Sequence, residues 1–175
     1  MMNRKRTVFV LFFCFVAGLL GCGRRTVQNT LFEGNEYVLE FPASWEVKSH
    51  FQGADLVGIS PSESPDDQFR ENVTVVLENM PASMTDHEYL DLSVSQLREG
   101  FGLTGDIGFT AVSVGHMAGH HIHYVAEMQQ GPMDNDAYIV IHDGAVYVIT
   151  CAHAIGKREG LKSTMDGIIA TFDIK

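Results

Sequence analysis

Ile139-Val140-Ile141-His142-Asp143-Gly144-Ala145-Val146-Tyr147-Val148-Ile149 is the stretch that decides the fold. Asp143-Gly144 between two β-branched runs reads as a tight hairpin, because glycine accepts the positive φ that a two-residue connection needs. The second run, Val146 to Ile149, is apolar at every position rather than at alternate ones. A strand of that kind is covered on both faces and sits in the middle of its sheet.

Working outward, period-two alternation predicts further strands over residues 36–41, 55–60, 72–79, 109–115 and 120–128, with 137–141 and 146–152 forming the hairpin. Turn-length links between five of these favour antiparallel pairing. Two segments switch to helical spacing. Thr85 followed by Glu88 is a capping box, and Leu90, Val94, Leu97 and Phe101 recur behind it, which predicts a helix from Asp86 to about Gly100. A second helix is expected from about Arg158 to Thr171, with Leu161, Met165, Ile168, Ile169 and Phe172 as its apolar stripe.

The first residues have a different logic. Arg4-Lys5-Arg6, an apolar run from Val8 to Leu20, and then Leu19-Leu20-Gly21-Cys22 match a bacterial lipoprotein signal, and the run is too short for a comfortable membrane span. Cleavage is expected after residue 21, with Cys22 lipidated and residues 22–35 forming a tether to a domain over 36–175. Several acyl chains hold a protein on a membrane because each buried methylene contributes about 0.8 kcal/mol. Gly23 is not the Asp that often retains such proteins at the inner membrane, so the periplasmic face of an outer membrane is expected where the cell has one.

The chain of 175 residues carries 12 Lys+Arg and 22 Asp+Glu, a net charge of -10. The signal holds three basic and no acidic residues, so the mature chain keeps 9 against 22, a net of -13. So acidic a surface repels nucleic acid and anionic headgroups beyond the anchor. Of the three cysteines, Cys14 leaves with the signal and Cys22 is acylated, which leaves Cys151 without a disulfide partner.

Tyr37-Val38-Leu39-Glu40-Phe41-Pro42 leading to Trp45, then Asn72-Val73-Thr74-Val75-Val76 and a helix carrying Tyr89, form an ordered series. The Ile122-His123-Tyr124 strand, Ala145-Val146-Tyr147-Val148-Ile149-Thr150, and closing Ile168-Ile169 with Phe172 continue it. In that order and spacing they resemble the PsbP/Mog1-like domains, including the DcrB-like bacterial lipoproteins, over about residues 36–175. The resemblance implies an α+β fold, an antiparallel sheet of about six or seven strands with helices packed on it, and a binding or accessory role without catalysis. Pro42 is expected to end its strand and Trp45 to fold back as an apolar anchor.

Chemistry is concentrated in Gly115-His116-Met117-Ala118-Gly119-His120-His121-Ile122-His123, which holds four of the eight histidines. His121 and His123 share one strand face and His120, Ile122, Tyr124 and Ala126 the other, so His121 and His123 are expected to face solvent. A turn centred on Ala118-Gly119 sets His116 opposite His121, at about 5 Å between Cβ atoms. His116, His121 and His123 could then hold zinc, copper or nickel. A turn centred on His116-Met117 leaves His116 at the tip and two histidines together. The same residues could instead sense pH. Cys151 and His153 share a face that reads as packed interior, a poor place for a thiol nucleophile. No Gly-x-Ser-x-Gly elbow, phosphate loop or Rossmann fingerprint is present.

Two loops are candidate interfaces: the acidic stretch 61–71, with Glu63, Asp66, Asp67 and Glu71, and the glycine-rich stretch 100–108. The acidic loop lacks the regular alternating oxygen ligands of a calcium loop. The sequence thus points to a lipid-anchored envelope protein that binds another macromolecule without a cofactor. The competing reading is a periplasmic divalent-metal-binding protein built on the His116 to His123 hairpin, and a thiol hydrolase comes third.

Overall fold

The computed structural model describes residues 29–128 and 131–175; the expected signal and Cys22 lie outside the described residues. Seven strands form one antiparallel sheet: β3 (Glu46–Phe51), β4 (Ala54–Ile59), β5 (Asn72–Asn79), β6 (Thr110–Val114), β7 (Met117–Met128), β8 (Gly131–His142) and β9 (Ala145–Ala154). Their order is β3-β4-β5-β9-β8-β7-β6, so β9 is the middle strand. Residues 146 to 153 of β9 are buried without interruption, as the apolar run at 146–149 predicts. The β8–β9 turn closes on Asp143-Gly144 with φ values of 48° and 79°, both in the left-handed region that a two-residue hairpin of the primed type demands.

Each face of β9 has its own cover. Val146 and Val148 pack with Ile139 and Tyr89 of helix α1 (Asp86–Phe101). Tyr147, Ile149 and Cys151, on the opposite face, join the largest core cluster with Met165, Ile168 and Ile169 of helix α2 (Arg158–Ile169). Beside α2 lies a small sheet in the order β1-β2-β10, made of β1 (Thr30–Glu33), β2 (Tyr37–Phe41) and β10 (Asp173–Ile174). Tyr37, Leu39 and Phe41 alternate inward from β2 and meet Phe172, which is fully buried between α2 and β10. The result is three layers, with α1 on one side of the large sheet and α2 plus the small sheet on the other.

Local signals explain both helices' placement. Thr85 Oγ1 accepts from the Glu88 backbone N–H at 3.3 Å, and the Thr85 N–H donates to Glu88 Oε2 at 2.8 Å, completing the capping box. Gly102, at φ 63°, ends α1 in the left-handed conformation. The buried stripe of α1 is Tyr89, Ser93 and Leu97, with Leu90, Val94 and Phe101 only partly covered. The stripe is thus centred one residue from the apolar pattern, because Tyr89 is drawn in by a hydrogen bond from its hydroxyl to Glu78 at 2.7 Å. The N-cap residue of α2, Lys157, makes no side-chain capping hydrogen bond.

Three strands escape the sequence reading. β1 falls inside the stretch read as tether, β10 is two residues long, and β3 is an edge strand with Glu46, Lys48 and His50 exposed or partly so. β1 and β3 each pair with the strand that follows them, through links of three and two residues, and only β10 pairs with a partner distant in sequence, β2. Trp45 is 8% exposed, and its ring lies 6.1 Å from that of Phe41, the anchor expected of it.

The β6–β7 hairpin turns at neither expected position but one residue before His116-Met117, which excludes the turn centred on Ala118-Gly119. Val114 pairs with Met117, so Gly115 and His116 form the tip. Gly115 has φ 57°, and a Cβ there would stand 1.8 Å from the Phe172 carbonyl oxygen. Only glycine fits beside the C-terminal segment, which fixes the turn at this point. Gly115→Ala is expected to destabilise the fold by about 2–3 kcal/mol through combined backbone strain and displacement of Phe172, measured as a lower midpoint in urea unfolding.

Candidate functional site

A groove of about 530 Å³ runs beneath α2 across the large sheet, from β6 at Val112 toward β9 at His153. Its floor carries an alternating polar row: His121 on β7, Asp136 on β8 and His153 on β9 all lie on the α2 side of the sheet, because strand residues two apart share a face. Arg158 and Lys162, one helical turn apart on α2, form the opposite wall with Met165.

Asp136 is the hub. It is 6% exposed, and Arg158 grips it through two hydrogen bonds, Nε to Oδ2 at 2.6 Å and Nη2 to Oδ1 at 2.8 Å. His121 Nε2 adds a third contact to Oδ1 at 2.7 Å. Burial works to raise the Asp136 carboxyl, but the hydrogen bonds from His121 and Arg158 override it and hold the group well below the usual carboxylate range. The same pairing pushes the Arg158 guanidinium up. The Tyr138 ring packs against His121 in a tilted arrangement, with ring centroids 4.8 Å apart.

His153 is 1% exposed, and burial pushes its imidazole down against the raising influence of Asp136 and Asp134. Its Nε2 stands 3.8 Å from Asp136 Oδ2, while its Nδ1 has no hydrogen-bond partner among the described residues. Neighbouring Cys151 is fully buried, and burial drives its thiol pKa upward, the reverse of what a nucleophile requires.

The three-histidine arrangement does not form. His116 is exposed at the hairpin tip, while His121 and His123 lie along β7. His123 Nε2 contacts Asp134 Oδ1 at 2.5 Å, so each of the two imidazoles is committed to its own carboxylate on β8. Among the described residues no group of three or more His, Cys, Asp or Glu side chains is arranged to hold a metal ion. Nor does His121 face open solvent: α2 crosses that face and leaves its side chain 21% exposed, against 43% for His123.

Asp134 and Asp136 are absent from the sequence reading because β8 begins at Gly131, six residues before the predicted strand. Aspartate is disfavoured in strands, and Met133-Asp134-Asn135-Asp136 reads as loop. The usable signal was the matching alternation, Asp134/Asp136 against His121/His123. The acidic loop 61–71 turns its carboxylates on itself and its neighbours. Asp67 accepts from the Glu63 and Phe69 backbone, Glu71 accepts from Ser60, and Glu63 pairs with Lys157. In the glycine-rich stretch, Leu103 and Ile107 pack against the α1 side of the core, as does Phe109 just beyond it.

Comparison with known proteins bears on the fold. No family model and no curated protein matches by sequence. Among solved structures, cyanobacterial PsbP (CyanoP) of Synechocystis sp. PCC 6803 superposes with a TM-score of 0.61 at 16% identity, covering 91% of this chain and 98% of that one. LpqN of Mycobacterium tuberculosis, a protein involved in cell envelope biogenesis, gives 0.57 at 11% identity, covering 86% and 92%. The Ran-binding protein Mog1p of Saccharomyces cerevisiae gives 0.54 at 14%, covering 85% and 96%. The domain has the PsbP/Mog1-like fold.

Two measurements check the site. Asp136→Asn is expected to cost about 3 kcal/mol at neutral pH, since it removes the buried carboxylate of the pair and leaves Arg158 only exposed Glu159 at 3.4 Å. The native carboxyl resists protonation where the unfolded one, near 3.9, accepts it, so this contribution is present above about pH 4 and fades as pH falls further. Urea unfolding should therefore show the gap between wild type and variant narrowing from pH 7 to pH 3. Iodoacetamide should leave Cys151 unmodified in the native chain and label it only once denaturant unfolds the core.

Proposed function

We propose that the protein is a lipid-anchored component of the bacterial envelope whose PsbP/Mog1-like domain is a non-catalytic binding or accessory module for another macromolecule. The observation that carries this reading is the commitment of the groove's charged side chains to one another, although buried His153 keeps an unpartnered Nδ1. Arg158 and His121 occupy the Asp136 carboxylate, Lys162 pairs with Asp166 at 2.6 Å, and Cys151 is sealed in the core. Groups so committed shape and rigidify a surface; they do not supply a poised acid, base or nucleophile.

Two further features support the reading. The head Arg4-Lys5-Arg6, the apolar run and Leu19-Leu20-Gly21-Cys22 fit lipidation at Cys22. The solved structures of this fold include a Ran-binding protein and a protein of cell envelope biogenesis. Unrelated functions do share folds, so the partner must be sought on this chain's own surface.

Expression in a bacterial host fed an alkyne-tagged palmitate analogue tests the anchor. The wild-type chain should carry the label and sediment with membranes, and Cys22→Ser should lose the label and accumulate uncleaved. A labelled Cys22→Ser chain would overturn the assignment.

A further inference from the structure

We infer that the outer edge of β6 is a docking site for an extended, uncharged segment of another protein, which adds to the large sheet as an eighth strand and places a side chain in the groove beneath α2. This rests on the binding role proposed above and gives it a place. β6 ends the sheet, so alternate N–H and C=O groups along Thr110–Val114 point away from β7 with no strand to receive them. Thr110, Ala111 and Ser113 are exposed.

Proteins guard such edges with charge, proline, bulges or brevity. The other strand edges among the described residues follow that rule. β3 carries Glu46, Lys48 and a left-handed His50 at φ 49°. β1 is four residues long, with Glu33 tied to Lys175, and β10 has two residues. β6 reads Thr-Ala-Val-Ser-Val: no charge, no proline, no break in its pairing with β7.

The groove opens beside this edge, since Val112, Ser113 and Gly115 line it together with Met165 and Ile169 of α2. Its cations are already neutralised, Arg158 by Asp136 and Lys162 by Asp166, so an apolar side chain suits it better than a charged one. The net charge of -13 expected for the mature chain disfavours a second copy and favours a segment flanked by Lys or Arg. Backbone pairing supplies affinity and the groove supplies selectivity, the usual division in strand addition.

Hydrogen–deuterium exchange of the full chain in detergent tests this, with a synthetic seven-residue probe of alternating valine and threonine bearing a lysine at each end. At about 1 mM probe, exchange in the fragment spanning residues 109–116 should slow about five-fold. Ser113→Lys should abolish the protection without changing exchange elsewhere, and a probe with glycine in place of valine should give none. Unchanged exchange at β6, or protection confined to other segments, would overturn the inference. So would a dimer in sedimentation that Ser113→Lys dissociates, because the edge would then belong to a second copy. None of these outcomes depends on Cys22, so failure here is separable from failure of the anchor.

Discussion

The double-sided burial of β9 is the constraint from which the rest of the architecture follows. A strand buried from residue 146 to 153 cannot lie at an edge or under a single layer, since either arrangement would leave apolar faces in water. Val146 and Val148 require one cover and Tyr147, Ile149 and Cys151 another. The chain provides them as α1 on one side and α2 with the small sheet on the other. Phe172 closes the second cover, with its ring 5.5 Å from Tyr147 and 5.9 Å from Tyr37.

That layering creates the groove and decides its character. Because α2 crosses the sheet face bearing His121, Asp136 and His153, the buried Asp136 and His153 and the partly covered His121 form one polar network. A carboxylate placed there must be neutralised, and Arg158, the first residue of α2, does so with two hydrogen bonds. The pair also fastens the start of a helix that has no side-chain cap. Asp136 is therefore a structural hub, joined to β7 through His121 and to α2 through Arg158.

The Gly115-His116 turn shows how a distant contact can decide a local register. Turns centred on His116-Met117 and on Ala118-Gly119 both satisfy the hairpin's composition, yet the chain turns at Gly115-His116. The Phe172 carbonyl sits where any side chain at 115 would be, so the turn centres there and the third histidine is carried to the tip. Whether three histidines or two come together depended on that register.

Elements whose signals are local were legible in the sequence. The 143–144 hairpin, the Thr85 capping box, the strand over Asn72–Asn79 and the centrality of β9 follow from residue periodicity and turn chemistry, which act within a few positions. Tertiary structure alone decided the rest. β10 exists only because β2 lies beside it, and Asp134 and Asp136 are held in a strand by ladders to β7 on one side and β9 on the other, with His123 and His121 answering their charges. The bare edge at β6 is defined by where the sheet stops. Local signals are written in neighbouring residues; pairing partners, buried charges and sheet edges depend on residues brought together from far along the chain, and only folding supplies that proximity.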